Sequence, residues 1–348
     1  MNTIIYFKLE YLVQTLILNT EPVIFTFNEG GNIGIVFEHK DEHQQNVMQC
    51  EAILKVQASQ SVFDMFKDLI ARRLPNQKQI ISVEDKQRYL DENGFIKAAQ
   101  VIPVSLMPEP FRDFTKQAHD RMFEQIKRIL QLIRWRKKIA GNHNPISSFR
   151  GHYWSFDNVT WHPMPHSLSA SMEIATVATP ITEQLRQEII TLTANHREEP
   201  LAHELFREAW EQRRANIRSA LVMGIAALEI GVKRYIAERI PDARWLVENL
   251  PTPSVVDLLT EYLPKIQSIK TIKGKAVPPP SNVINYLKKG VTMRNHVVHG
   301  RASKIEHDTV IEILKSVQDV LYLLDYYNGY DWALYHLRTQ TRADLGVE

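Results

Sequence analysis

The run Arg294-Asn295-His296-Val297-Val298-His299-Gly300 is the densest concentration of chemistry-bearing side chains in this 348-residue chain. An imidazole ordinarily titrates near pH 6.5, about where a group must sit to exchange protons at neutrality. A guanidinium binds phosphate oxygens in pairs and favours the more negative transition state. Arg294 and His299 without a carboxylate cluster point to metal-free phosphodiester cleavage in RNA. The 2′-OH is then the nucleophile and a 2′,3′-cyclic phosphate the expected product, a reaction closed to DNA. The run reads as the end of a helix, with Ile284, Leu287, Val291 and Val298 on its apolar face and Gly300 as the C′ residue. Residues five apart on a helix differ by about 140° around its axis. Arg294 and His299 therefore flank Asn295, which lies one turn before His299 and is expected to orient its ring. His296, beside them, faces either phosphate or solvent.

The surroundings are basic. Residues 265–304 contain Lys265, Lys270, Lys273, Lys275, Lys288, Lys289, Arg294, Arg301 and Lys304, with no Asp or Glu. Such a stretch attracts polyanions. Lys270, Lys273, Lys275, Lys288, Lys289, Arg301 and Lys304 are expected to hold an RNA backbone. Glu229 interrupts the most apolar helical segment, where an acid is unusual. It either orients Arg294 or a substrate, or pairs with Lys233 at i,i+4.

These residues need elements to position them, and the chain reads as α+β. Residues 4–7, 23–27, 33–37 and 52–56 are β-branched and aromatic runs, with a hairpin turn expected at Asn28–Asn32. A helix is expected over about 61–73. A long amphipathic helix follows over about 111–139, its outer face ending in Arg134-Trp135-Arg136-Lys137-Lys138, which offers a second nucleic-acid candidate or a solvated face. Residues 142–178 return to short aromatic strands, and Trp154, Phe156 and Trp161 there either fill a second β core or stack bases. Beyond Pro180 almost everything reads as helix: 181–194, 201–214, 216–239, 253–262, 282–299, 305–327 and a short tail. Ser281 is the expected N-cap after Pro278-Pro279-Pro280. Two domains are expected, a strand-rich region over 1–180 that is divisible near 110–150, and a helical domain over 195–348.

Composition narrows the function classes. The chain is 44% hydrophobic and 24% charged, within the ordinary globular range. Cys50 is the single cysteine, which excludes an internal disulfide scaffold and a Cys-based zinc ribbon. His143, His152, His162 and His166 fit no zinc spacing. No phosphate-binding glycine loop is present, so neither ATP nor NAD is expected and no cofactor is needed. No apolar run reaches the length of a membrane span, and Met1–Leu12 has no basic n-region. A cytoplasmic protein without membrane attachment is expected.

Arg294-Asn295-x-x-x-His299 resembles the R-polar-x-x-x-H signature of the HEPN superfamily. The helix around Ala220–Glu229 looks like that family's long central helix, and the amphipathic helix after Val298-His299-Gly300 is similar to its closing one. The resemblance spans about residues 200–330. It implies a metal-independent endoribonuclease with Arg294 and His299 catalytic, working as a homodimer through the helical domain. It also implies roles in phage defence (abortive infection) and in toxin–antitoxin pairs. The N-terminal region would then receive a regulatory partner or a phage trigger. The alternative is a non-catalytic adaptor of the same fold that binds RNA or nucleotides, or a toxin–antitoxin component.

Overall fold

The computed structural model describes residues 3–13, 19, 21–27, 32–42, 45–75, 82–97, 102–140, 146–165, 180–249, 254–300 and 305–347. The expected hairpin turn at Asn28–Asn32 lies almost wholly outside them. The chain divides into two compact units, 1–133 with 144–198, and 134–143 with 199–348.

The first unit is built on strands β1 (Ile4–Val13), β2 (Val23–Phe27), β3 (Ile33–Glu42), β4 (Gln45–Gln57), β5 (Ile146–Ser155) and β6 (His162–Pro163). They form one antiparallel sheet in the order β2-β3-β4-β1-β5-β6. Alternation along β1 buries Ile5, Phe7, Leu9, Tyr11 and Val13, the period-2 pattern of a sheet with one covered face. The cover comes from α1 (Gln60–Ile70) and the long α3 (Glu109–Lys137). Phe7 packs edge-on to Phe66 and tilted against Phe114, and Tyr11 meets Phe123. Helix α2 (Val83–Tyr89), absent from the sequence reading, is capped by Ser82, whose hydroxyl accepts from the Asp85 amide.

Two expectations about this unit are corrected. The aromatic segment after α3 builds no separate β core. Its β5 pairs with β1 in the first sheet, and Trp154 is buried against Phe66. Helix α4 (Glu183–Ala194) belongs here too, so this unit extends past the expected limit of 180, to 198. Arg186 on α4 donates to the Ile24 carbonyl of edge strand β2 at 2.9 Å, satisfying a backbone group that an edge leaves open.

The second unit contains α5 (Leu201–Ala215), α6 (Ile217–Arg239), α7 (Arg244–Asn249), α8 (Val255–Asp257), α9 (Ser281–Val298), α10 (His307–Tyr327) and α11 (Thr339–Leu345). Helix α8 runs on into a π turn, Leu258–Tyr262. Helix α6 touches α5, α9 and α10. Small residues let it approach closely. A Cβ on Gly224 would meet Leu314, one on Gly231 would meet Leu321, and one on Gly290 would lie 2.7 Å from Ile313 and 2.9 Å from Ile225.

Two further corrections arise here. The helix expected to be capped by Ser281 instead starts on it, after an N-cap Pro280 that offers no side-chain acceptor. The basic end of α3 is no outer face: Arg134 is 1% and Trp135 2% exposed. Arg134 stands one turn after buried Leu130, so it continues the inward stripe. Trp135 Nε1 donates to Asp325 at 2.8 Å, and Arg136 stacks on Trp332. Among the described residues, no helix is long and apolar enough to cross a membrane.

Candidate functional site

Helices α6 and α9 lie side by side and bring together two residues 65 positions apart. The Arg294 guanidinium donates to a carboxylate oxygen of Glu229 and forms an ion pair with it. Of the two roles open to Glu229, the structure shows contact with Arg294. No Glu229–Lys233 ion pair occurs among the described residues. The pair borders a cavity of about 400 Å³ lined by Glu229, Ile230, Lys233, Ser254, Val255, Leu258, Val291, Arg294 and Asn295. Glu229 and Lys233 are one helical turn apart, so α6 presents an acid and a base to the same space. Lys233 as a cavity residue escaped the sequence reading, although its i,i+4 relation to Glu229 was the available signal. The third wall is Ser254, Val255 and the π turn at Leu258, a helical irregularity often found at functional sites.

His299 is the C-cap of α9, with φ −91° and ψ 13°, and its amide donates to the Asn295 carbonyl at 3.0 Å. Gly300 follows at φ +67°, its amide reaching the Val297 carbonyl at 3.1 Å. This is the expected C′ glycine, since an L side chain would be strained in that conformation. The His299 and His296 side chains are exposed, and neither lines the cavity. Arg294 faces the cavity while His299 stands at the helix tip, the divergence that a five-residue spacing imposes. Among the described residues the Asn295 side chain makes no hydrogen bond to His299. Their link is the backbone bond. Ile284 and Leu287 are buried as expected, but Val298 is 59% exposed. It shares their side of the helix, yet nothing described covers the last turn.

The lysines do not form one field around Arg294. The Ile269 amide donates to the Tyr327 carbonyl, and the Tyr327 hydroxyl to the Val277 carbonyl, which places 269–277 at the C-terminal end of α10. Lys289 instead donates to Thr309 near the start of α10. Eighteen residues of helix, about 27 Å, separate those ends. Lys270 pairs with Asp331 at 3.0 Å. Lys273 and Gly274, at φ +51° and +83°, are the centre of a tight turn closed by reciprocal bonds between Ile272 and Lys275. The Lys273 ammonium lies beside Gly346, at the end of α11. Lys275, Lys288 and Lys289 are exposed. Arg301 and Lys304 lie outside the described residues.

No three His, Cys, Asp or Glu side chains come together in metal-binding fashion among the described residues. His152 packs against Phe7 and His119, and His162 lies tilted against Trp154, so both rest on aromatic rings. His143 and His166 lie outside the described residues. No protein-family model, curated protein or solved structure matches this chain.

Proposed function

We propose that the helical unit is a metal-independent endoribonuclease of the HEPN kind, active as a homodimer and used in phage defence. The observation carrying this reading is the placement of Arg294 by Glu229 at a cavity mouth, five residues before an exposed histidine on the same helix. A bidentate-capable guanidinium beside a space large enough for a nucleotide binds the scissile phosphate. A solvent-accessible imidazole takes the proton from the 2′-OH. The 2′-oxygen attacks phosphorus and the bond to the 5′-oxygen breaks, which leaves a 2′,3′-cyclic phosphate and a 5′-hydroxyl. Arg294 stabilises the extra negative charge of the transition state. In a homodimer a second His299 supplies the proton for the leaving 5′-oxygen, and the exposed Val298 beside it suits a protein contact. Lys233, Lys288 and Lys289 are the nearest candidates for the RNA backbone. The strand-rich unit would receive the regulatory signal.

The test is incubation of the full-length protein with total RNA and tRNA in EDTA, beside Arg294→Ala and His299→Ala. Cleavage by the unsubstituted protein alone, with cyclic phosphate ends, is the expected result. RNA retained on the protein without cleavage, with or without a phage lysate present, would favour the adaptor reading instead. The full chain is required, because a fragment starting at residue 195 would lose Arg134–Lys138, which belong to the helical unit.

A further inference from the structure

The helical unit holds a second cavity, of about 160 Å³, walled by Trp135 at the end of α3, Phe206 and Trp210 of α5, and Tyr322 of α10. Trp210 is fixed in that wall. It stacks with Phe206 at 6.1 Å, and the Arg213 guanidinium lies 4.3 Å from its ring centroid. Ala140 is exposed and Trp210 and Gln318 are half-buried, so these three mark the mouth.

The charged groups around it answer one another. Both terminal nitrogens of Arg207 donate to the Glu199 carboxylate at 2.5 Å, and Glu204 also favours that cation. Glu199 and Glu211 favour the charged form of Arg134, and Asp319 that of Lys138. The Lys138 ammonium donates to the His336 carbonyl at 2.8 Å. Polar atoms of the aromatic walls are engaged too. Trp135 Nε1 donates to Asp325 at 2.8 Å, and the Tyr322 hydroxyl to the Trp135 carbonyl at 3.3 Å. His203 Nε2 lies 2.8 Å from an Asp325 oxygen, though not aligned for a hydrogen bond. Arg207 keeps one donor unused. The residue is 6% exposed, and its Nε is buried with no hydrogen-bond partner among the described residues. A buried N–H in that state costs free energy until an acceptor reaches it.

Answered charges call for no counter-ion, so the occupant that suits this lining is neutral. Aromatic walls favour a flat one. Its size is one ring, since a cavity of about 150 Å³ accepts benzene. It also carries an acceptor for Arg207 Nε. We propose that the cavity binds a neutral six-membered heteroaromatic ring bearing a carbonyl oxygen, the chemistry of a pyrimidine base, with any ribose left at the mouth beside Gln318. The site is separate from the Arg294 cavity and independent of its chemistry.

Calorimetric titration of the full-length protein with uridine, cytidine, nicotinamide and adenosine tests this. Saturable binding with a Kd of about 1 mM or tighter is expected for at least one single-ring ligand. Adenosine, whose base has two rings and no carbonyl, is expected to bind about tenfold more weakly or worse. Tighter binding of uridine or cytidine identifies a pyrimidine nucleoside as the source, and tighter binding of nicotinamide a pyridine carboxamide. Trp210→Ala is expected to weaken binding about tenfold or more, whereas Arg294→Ala leaves it unchanged. No saturable binding of any single-ring ligand overturns the proposal, as does adenosine binding as tightly as uridine. Binding that survives Trp210→Ala and is lost in Arg294→Ala overturns it too. Should Trp210→Ala fail to fold, Gln318→Trp closes the mouth from a half-buried position and is expected to abolish binding. Unchanged affinity in that variant would again overturn the proposal.

Discussion

Glu229 of α6 and Arg294 of α9 are joined by an ion pair, and the contact fixes which way the arginine points. Both side chains are part-exposed, so the pair is worth about 0–1 kcal/mol to folding. Its consequence lies in orientation, where about 1 Å of misplacement can cost about a hundredfold in rate. Glu229→Ala is therefore expected to leave the urea midpoint nearly unchanged while lowering RNA cleavage about tenfold or more. Glu229→Gln, which keeps an acceptor, should fall between. Equal activity in all three would deny Glu229 a positioning role.

Close packing at Gly290 gives a second expectation. A Cβ there would press on Ile313 and Ile225 from two neighbouring helices. Gly290→Val is expected to destabilise the protein by about 1–3 kcal/mol through overpacking. For Gly290→Ala, a helix-propensity gain of about 1 kcal/mol offsets part of the strain. Urea unfolding of the two variants checks the order, and a stabilised valine variant would refute the close approach.

Asp319 ties the chain's last helix to α10. Buried at 2% exposure, it accepts from the Arg338 amide at 3.0 Å, from Arg338 Nε at 2.7 Å and from the Thr341 hydroxyl at 2.6 Å. Asp319→Ala strands those donors and is expected to cost about 3 kcal/mol. Amide hydrogen exchange should then accelerate over residues 338–347 more than over α6. Uniform acceleration would show that α11 is not separately held.

His336 makes stability depend on pH. Burial, with the nearby Lys138 and Arg136 charges, lowers its pKa to about 4, and its Nε2 donates to the Arg136 carbonyl at 2.9 Å. The unfolded chain binds this proton from about pH 6.5 downward, whereas the folded protein resists until about pH 4. Stability is thus lost as pH falls through that window, by up to about 3 kcal/mol. His336→Gln keeps a donor without the titration. The difference in unfolding free energy between the two proteins should shift in favour of the glutamine form between pH 7 and pH 4.5. A constant difference would place the pH dependence on other groups.

Much of this structure is written in local sequence chemistry. The apolar repeat of 217–239 and the Val298-His299-Gly300 ending located α6 and the end of α9 within a residue or two, because helix periodicity and a C′ glycine are short-range effects. The β1 alternation is equally local. What local chemistry does not carry is who the neighbours are. Arg134 looked like an outward charge. Its i,i+4 relation to Leu130 put it on the inward stripe, but its charge masked that signal, and the packing of other helices over the stripe is what buries it. The acid-free run at 265–304 looked like one patch, but α9 carries the chain along α10, so Lys270–Lys275 and Lys289 lie at opposite ends of that helix.

The same division holds at the candidate site. Residue types and spacing set the possible chemistry, Arg294 and His299 at a helix end, and the 140° rotation between them. Contacts between helices set the rest: that Glu229 answers Arg294, 65 residues away, rather than Lys233, and that Lys233 turns into the cavity they share. Side-chain pairing between helices depends on their relative position, which packing at Gly224, Gly231 and Gly290 establishes and no window of sequence contains.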